Sequence, residues 1–314
     1  MHKIAFLFPG QGAQRVGMGK DFYENSPLAA DLYDQASELL SLDLKALCFR
    51  ENDRLNLTEY TQVALAVTCL AMERVVEAAG IRPLITAGLS LGEYCAICAA
   101  GGMSALDVAR TVRLRGQLMQ DTVPAGQGSM AAVLGMEASA IEGILEGQRQ
   151  EKTGGAGQVW IANYNCPGQI VITGAAQAVA EASVRLKEGG ARRVLPLQVS
   201  GPFHSPLLQS AGDRLMECLK EIPMEELKLP YVTNVTAEII TDIGRTRQLL
   251  RDQVASPVRW QQSVETMLKQ GYDAFVEIGP GKTLAGFMRK IDKEAVVHNV
   301  ASLEDVDKLA QKLC

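Results

Sequence analysis

The chain has 314 residues, 47% of them hydrophobic, with 36 Asp and Glu against 31 Lys and Arg and a net charge of -5. That length buries a sizeable core, as one large domain or two smaller ones. The basic residues are scattered, with no basic block or basic-aromatic stripe, which speaks against nucleic acid or an anionic membrane as partner.

The apolar run at the N-terminus is too short for a signal peptide and ends at Pro9-Gly-Gln-Gly without a cleavage site, so residues 3–8 read as a first strand. The loop 9–17 is rich in glycine, which lets backbone approach a ligand closely, but it lacks the spacing of a phosphate-binding loop. Ser26-Pro27 begins a helix, with Ser as cap and Pro at the first position. Another helix covers 58–79 and stops at Gly80; Val63, Val67, Leu70 and Val75 give it a broad buried face. Its apolar run, 63–72, falls short of the roughly 20 residues that span a bilayer.

Residues 84–87 read as a buried strand, followed by a sharp turn at Ser90 and a helix from Leu91. Gly88 and Gly92 flank the serine in the G-x-S-x-G spacing of a nucleophile elbow. Such a turn exposes the hydroxyl above the sheet and aims the first free amides of the helix at whatever the hydroxyl attacks. Cys95 and Cys98 form a C-x-x-C in that helix, but no second Cys/His pair follows at zinc spacing. They read as small buried hydrophobes; no metal site is expected. With 7 cysteines at irregular spacing, the expected compartment is the reducing cytoplasm.

Ser104 caps a helix to about residue 120. From 130 the texture changes: strand 130–134, helix 137–148, a flexible tract at 152–157, strands 159–164 and 169–174 around a turn at 165–168, helix 176–187 and strand 192–197. This β-α-β-β-α-β order predicts a ferredoxin-like unit inserted at 127–198. Then come helix 205–221, short strand 231–233, helices 245–253 and 260–270, strand 274–278, a turn at 279–281, helix 282–291 and strand 295–300. The expected class is α/β: an α/β-hydrolase-like large domain with a parallel sheet, formed by 1–126 and 199–314, plus the inserted small α+β domain.

A serine hydroxyl needs a base, and the chain has 3 histidines. His204 lies where the small domain rejoins the large one, just before a helix, and suits a general base facing a cleft. His298 in the last strand is its competitor, because hydrolases carry the base late, after an acid. The elbow offers the Leu91 amide to an oxyanion, and the loop at Pro9-Gly10-Gln11-Gly12 offers the Gln11 amide. Arg110, Arg113 and Arg115 lie on one helix; any of them turned into the cleft would fork onto a carboxylate or phosphate.

Phe8-Pro-Gly-Gln-Gly-Ala-Gln14, Gly88-x-Ser-Leu-Gly-Glu-Tyr94, Arg113-Leu-Arg-Gly116, Met119-Gln120, Ile161-Ala-Asn-Tyr-Asn165 with Pro167-Gly-Gln169, Pro202-Phe-His-Ser205, Pro257-Val-Arg-Trp260 and Glu277-Ile-Gly-Pro-Gly281 occur in this order. Together they resemble the malonyl-CoA:acyl-carrier-protein transacylases of fatty-acid synthesis and the related acyltransferase domains of polyketide synthases. The resemblance covers essentially the whole chain. It implies Ser90 as nucleophile, His204 as base and the main-chain carbonyl of Gln253 as the group orienting the imidazole. It further implies Gln11 and Leu91 as oxyanion donors, Arg115 as partner of the malonyl carboxylate and Asn163 as a polar residue near the cleft. The family usually has His before the serine; here Leu89 stands there, beside the acyl pocket.

The resemblance therefore implies malonyl transfer from malonyl-CoA to the phosphopantetheine thiol of holo acyl carrier protein by a ping-pong route. No cofactor beyond the CoA thioester is expected, and a monomer is the expected state. The competing readings are a serine esterase or thioesterase using His298 with Asp273, a trans-acting acyltransferase of a polyketide pathway, and a non-catalytic carrier-protein binder.

Overall fold

The computed structural model describes residues 2–124, 126–152, 157–199 and 201–313. The glycine-rich tract expected at 152–157 falls mostly outside these, as does Ser200.

The first strand, β1 (Ile4–Phe8), leads into α1 (Lys20–Asn25), α2 (Pro27–Leu40), α3 (Leu44–Phe49) and α4 (Thr58–Ala78). β2 (Ile85–Gly88), α5 (Gly92–Ala99) and α6 (Ala105–Asp121) follow. The second sheet is then laid down by β3 (Gly128–Leu134), α7 (Ala138–Glu151), β4 (Val159–Cys166), β5 (Gln169–Ala175), α8 (Ala176–Glu188) and β6 (Arg193–Pro196). The chain returns through α9 (Gln209–Glu221), β7 (Tyr231–Val232), β8 (Ile239–Ile240), α10 (Thr246–Gln253), α11 (Trp260–Lys269), β9 (Ala274–Ile278), α12 (Thr283–Ile291), β10 (Val296–Val300) and α13 (Leu303–Leu313).

The first sheet is six-stranded in the order β10-β9-β1-β2-β7-β8, parallel except for β8. β1 is paired along both edges, with β9 and β2, and packed on both faces, so it reads as an unbroken apolar run. Its pleat divides the core. Phe6 and Phe8 face a layer with α4 and α6, while Ala5 and Leu7 face Trp260, Val264 and Met288 on α11 and α12. α4 is buried nearly all round, from Thr61 to Glu73 without a break, which explains its apolar run without a membrane. Among the described residues no helix is long and apolar enough to cross a bilayer.

The second sheet is antiparallel, ordered β4-β5-β3-β6. One face, with Ala131, Val133, Ile161 and Ile172, packs on α7 and α8. The alternate residues Met130, Ala132 and Val171 look the other way, into a cavity shared with the first sheet. A bulge in β4 between Ile161 and Asn163 lets that strand bond the segment before α11: Tyr164 donates to the Val258 carbonyl at 2.9 Å, and Val258 donates to that of Ala162 at 2.8 Å.

Several elements depart from the sequence expectation. α1, α3, β8 and α13 were not expected. α3 and α13 have legible starts: Asp43 accepts from the Ala46 amide, and Ser302 with Asp305 caps α13. Ser26 precedes Pro27 as expected, but its hydroxyl makes no cap bond. The helix expected from residue 205 starts at Gln209, after a 3-10 turn at Pro206–Leu208.

Candidate active site

The elbow between β2 and α5 is built from residues that tolerate no substitution of shape. A Cβ on Gly88 would stand 2.0 Å from the Gly92 backbone, and one on Gly92 would stand 2.1 Å from the Phe8 carbonyl oxygen. The loop after β1 packs just as tightly, since a Cβ on Gly10 would lie 2.5 Å from the Leu89 carbonyl oxygen. Ser90 itself takes φ +54°, a left-handed conformation that costs a residue with a side chain about 1–2 kcal/mol. Two side chains brace it. Asn234 accepts from the Ser90 amide at 2.6 Å, and Gln253 Nε2 donates to the Ser90 carbonyl at 2.9 Å.

The Ser90 hydroxyl meets His204 Nε2 at 2.7 Å. His204 Nδ1 stands 2.9 Å from the main-chain carbonyl of Gln253 at the end of α10. A carbonyl only accepts, so Nδ1 carries the proton and Nε2 offers its lone pair to the serine. Like Ser90, His204 is left-handed, with φ +60°. Burial, and next the Arg115 charge, push its pKa down to about 4. The imidazole is therefore neutral at pH 7 and free to accept a proton.

Of the three arginines on α6, one turns into the cleft. Arg110 pairs with Asp107 at 2.8 Å, and Arg113 with Glu59 at 2.7 Å while stacking on Tyr60. Arg115 is 1% exposed and reaches Ser90 Oγ at 3.1 Å, Gln62 Oε1 at 2.8 Å and Gln253 Oε1 at 2.9 Å. All three acceptors are neutral, and its Nε has no partner among the described residues. Burial holds its pKa below the usual arginine value.

Gln11, Leu89, Ser90, Leu91, Arg115, Asn163 and His204 all line one cavity of about 250 Å³ between the two sheets. Among the described residues no group accepts from the Gln11 or Leu91 amide, so both remain available to an anion in the cavity. Gln253 stands behind His204, outside the lining. His298 is elsewhere, half-buried on β10 and paired in register with Val276. Asp273, its expected acid, instead holds His2 at 3.1 Å and the Lys3 amide at 2.7 Å. Cys95 and Cys98 are free thiols, Cys95 buried and Cys98 half-buried.

Sequence reasoning missed Asn234, Gln62 and the role of Glu93. Glu93 was visible as the acid closing the elbow motif, but Asn234 and Gln62 carry no local signal. They arrive from a loop after β7 and from the second turn of α4.

Known proteins match this architecture along its whole length. The acyl transferase domain family matches residues 5–310. A malonyl CoA-acyl carrier protein transacylase of Bacillus subtilis is 43% identical over 314 residues, covering 100% of this chain and 98% of that protein. The structure of the corresponding Clostridium perfringens transacylase is 39% identical with a TM-score of 0.94, covering 99% of this chain and 97% of that one. A malonyl-transacylase solved in complex with its type II polyketide synthase acyl-carrier protein gives a TM-score of 0.94 at 35% identity, covering 99% of each chain.

Proposed function

The chain belongs to the acyl transferase domain family and transfers malonyl from malonyl-CoA to acyl carrier protein; we propose that it does so in two half-reactions through an ester on Ser90. The observation that carries this reading is the contact of one serine oxygen with both His204 and Arg115.

In the first half-reaction the malonyl carboxylate sits on Arg115. Ser90 Oγ attacks the thioester carbon while His204 Nε2 takes the hydroxyl proton. The oxyanion lies against the Gln11 and Leu91 amides, each worth about 3 kcal/mol in the barrier. The C–S bond breaks and the CoA sulfur receives the proton from His204. In the second half-reaction the phosphopantetheine thiol gives its proton to His204 and attacks the ester, and Ser90 leaves reprotonated. The Gln253 carbonyl keeps the imidazole in one tautomer throughout. Serine, imidazole and amides supply every proton and charge these steps need, so the reaction as proposed requires no cofactor. Asn163 and Leu89 border the acyl end of the cavity, where Leu89 bears on acyl choice.

We read the first sheet with its elbow as hydrolase-like and the second as ferredoxin-like, the latter supported by its β4-β5-β3-β6 order and alternating strand directions. The division into 1–126 with 199–314 and 127–198 follows from that reading. A monomer suffices, since one chain supplies every group of the site, and free cysteines support a reducing, cytoplasmic setting. We place the product in fatty-acid synthesis; a polyketide carrier is the second destination, favoured by the complex named above.

CoA release tests the reading. Without a carrier protein it should stop after one equivalent, and holo acyl carrier protein should restart it. Continuous release into water would instead identify a thioesterase.

A further inference from the structure

Glu93 is completely buried in the first turn of α5, and no step above uses it. Its Oε2 accepts from the Gln253 side-chain Nε2 at 2.5 Å and from the Asn234 main-chain N–H at 3.2 Å. An ionised carboxylate only accepts. It must meet the N–H side of the Gln253 amide, which turns Gln253 Oε1 toward Arg115 at 2.9 Å. The same Nε2 donates to the Ser90 carbonyl, and the Gln253 main chain holds His204. Asn234 braces the other side of the elbow, accepting from the Ser90 amide and donating to the Gly88 carbonyl at 2.7 Å. One carboxylate thus fixes the Gln253 side chain and anchors the Asn234 main chain, the two residues that hold the nucleophile, the base and the arginine.

We propose that Glu93, as the carboxylate, is the positioning residue of both half-reactions, locking the Gln253 amide so that its oxygen holds Arg115 and its nitrogen holds the Ser90 backbone. This rests on the reading of Ser90, His204 and Arg115 as the transfer machinery. The arrangement also solves a charge problem. A direct ion pair on Arg115 would compete with a substrate carboxylate. Glu93 compensates the guanidinium through one intervening amide, so that every hydrogen-bond partner of Arg115 among the described residues is neutral.

The lock depends on protonation. Burial pushes the Glu93 carboxyl up to about 7, against the bonds from Gln253 and Asn234 and the charge of Arg115. The charged and titratable groups facing it are Arg115 on α6, Tyr94 on α5 and Tyr231 on β7. Burial holds both phenols well above their usual range, so neither changes charge near neutrality. As pH falls through about 7, Glu93 gains a proton, one oxygen becomes a donor and the amide loses its enforced orientation. The His204 limb lies lower, near pH 4.

The test is single-turnover acylation of the full chain by malonyl-CoA and separately by acetyl-CoA, from about pH 5 to 8.5, for wild type and Glu93→Gln. Gln imitates the protonated acid. Wild type should lose rate around pH 7 with both substrates and approach the Glu93→Gln rate at the acid end. Glu93→Gln should run about tenfold or more below wild type at pH 8 and show no limb near 7. A merely structural role would lower the folded fraction but leave the limb in place. A variant with the wild-type profile, or a wild type flat down to pH 5.5, overturns the proposal. If Glu93→Gln does not fold, the wild-type profile alone decides. A wild type that never acylates Ser90 overturns the transfer reading, and this inference with it.

Discussion

Replacing Arg115 with Ala separates substrate recognition from chemistry. Arg115 enters the cavity with its charge uncommitted, since its acceptors are Gln62, Gln253 and Ser90 rather than a carboxylate. A malonyl carboxylate would complete a fork of charge-assisted hydrogen bonds, each worth about 1.5–3 kcal/mol. Taking about 3–4 kcal/mol net for the fork, at about 1.4 kcal/mol per decade, kcat/KM for malonyl-CoA should fall roughly 100- to 1000-fold. Acetyl-CoA has no carboxylate and forfeits none of this. Its loss is limited to the contact between Arg115 and the serine oxygen, so the malonyl-to-acetyl ratio should collapse. A second consequence concerns the base. Arg115 is one of the two causes that lower the His204 pKa, so its removal should shift the acid limb of loading upward from about 4. The assay is acyl-enzyme formation by intact mass under single turnover with each thioester, beside a thermal melt. Equal losses on both substrates by well-folded variants would refute the assignment of Arg115 to the carboxylate.

His298→Ala should leave loading and transfer near wild type, because His298 sits on β10 and Asp273 is committed to His2 and Lys3. A collapse of turnover without unfolding would favour the esterase reading. Gly88→Ala should destabilise the fold by about 4 kcal/mol or more, since its Cβ would overlap the Gly92 backbone at 2.0 Å. A wild-type urea midpoint for that variant would contradict the elbow geometry. Leu89→His should still acylate Ser90 while changing the ratio of malonyl to acetyl loading, because residue 89 lines the cavity and the Ser90–His204 hydrogen bond does not involve its side chain. Loss of acylation with both thioesters would place residue 89 in the chemistry instead.

Much of this was legible in the chain because the elbow is a local device. Strand, two glycines, serine and helix lie within ten residues, and their spacing dictates the turn. The buried strand β1 announces itself as an unbroken apolar run, and β9 as one broken only by Glu277, because helices cover both faces of a parallel sheet. The right arginine could not be read from helix geometry alone. Arg110, Arg113 and Arg115 differ by which neighbours meet them, and Glu59 and Tyr60, which engage Arg113, come from another helix. Asn234 and Gln62 were invisible for a similar reason, since their contacts to residues 90 and 115 span more than fifty positions. α13 was legible and overlooked: Ser302 and Asp305 form its cap, and Val306 and Leu309 form its buried stripe.

The central claim is a malonyl ester on Ser90 that only a carrier thiol removes. The most direct measurement is brief mixing with malonyl-CoA, intact mass and peptide mapping of the adduct, followed by addition of holo acyl carrier protein. A malonyl group on the peptide containing Ser90, absent from Ser90→Ala and discharged onto the carrier, is the predicted result. An adduct that persists in Ser90→Ala, or CoA released steadily into water with no adduct, would contradict it.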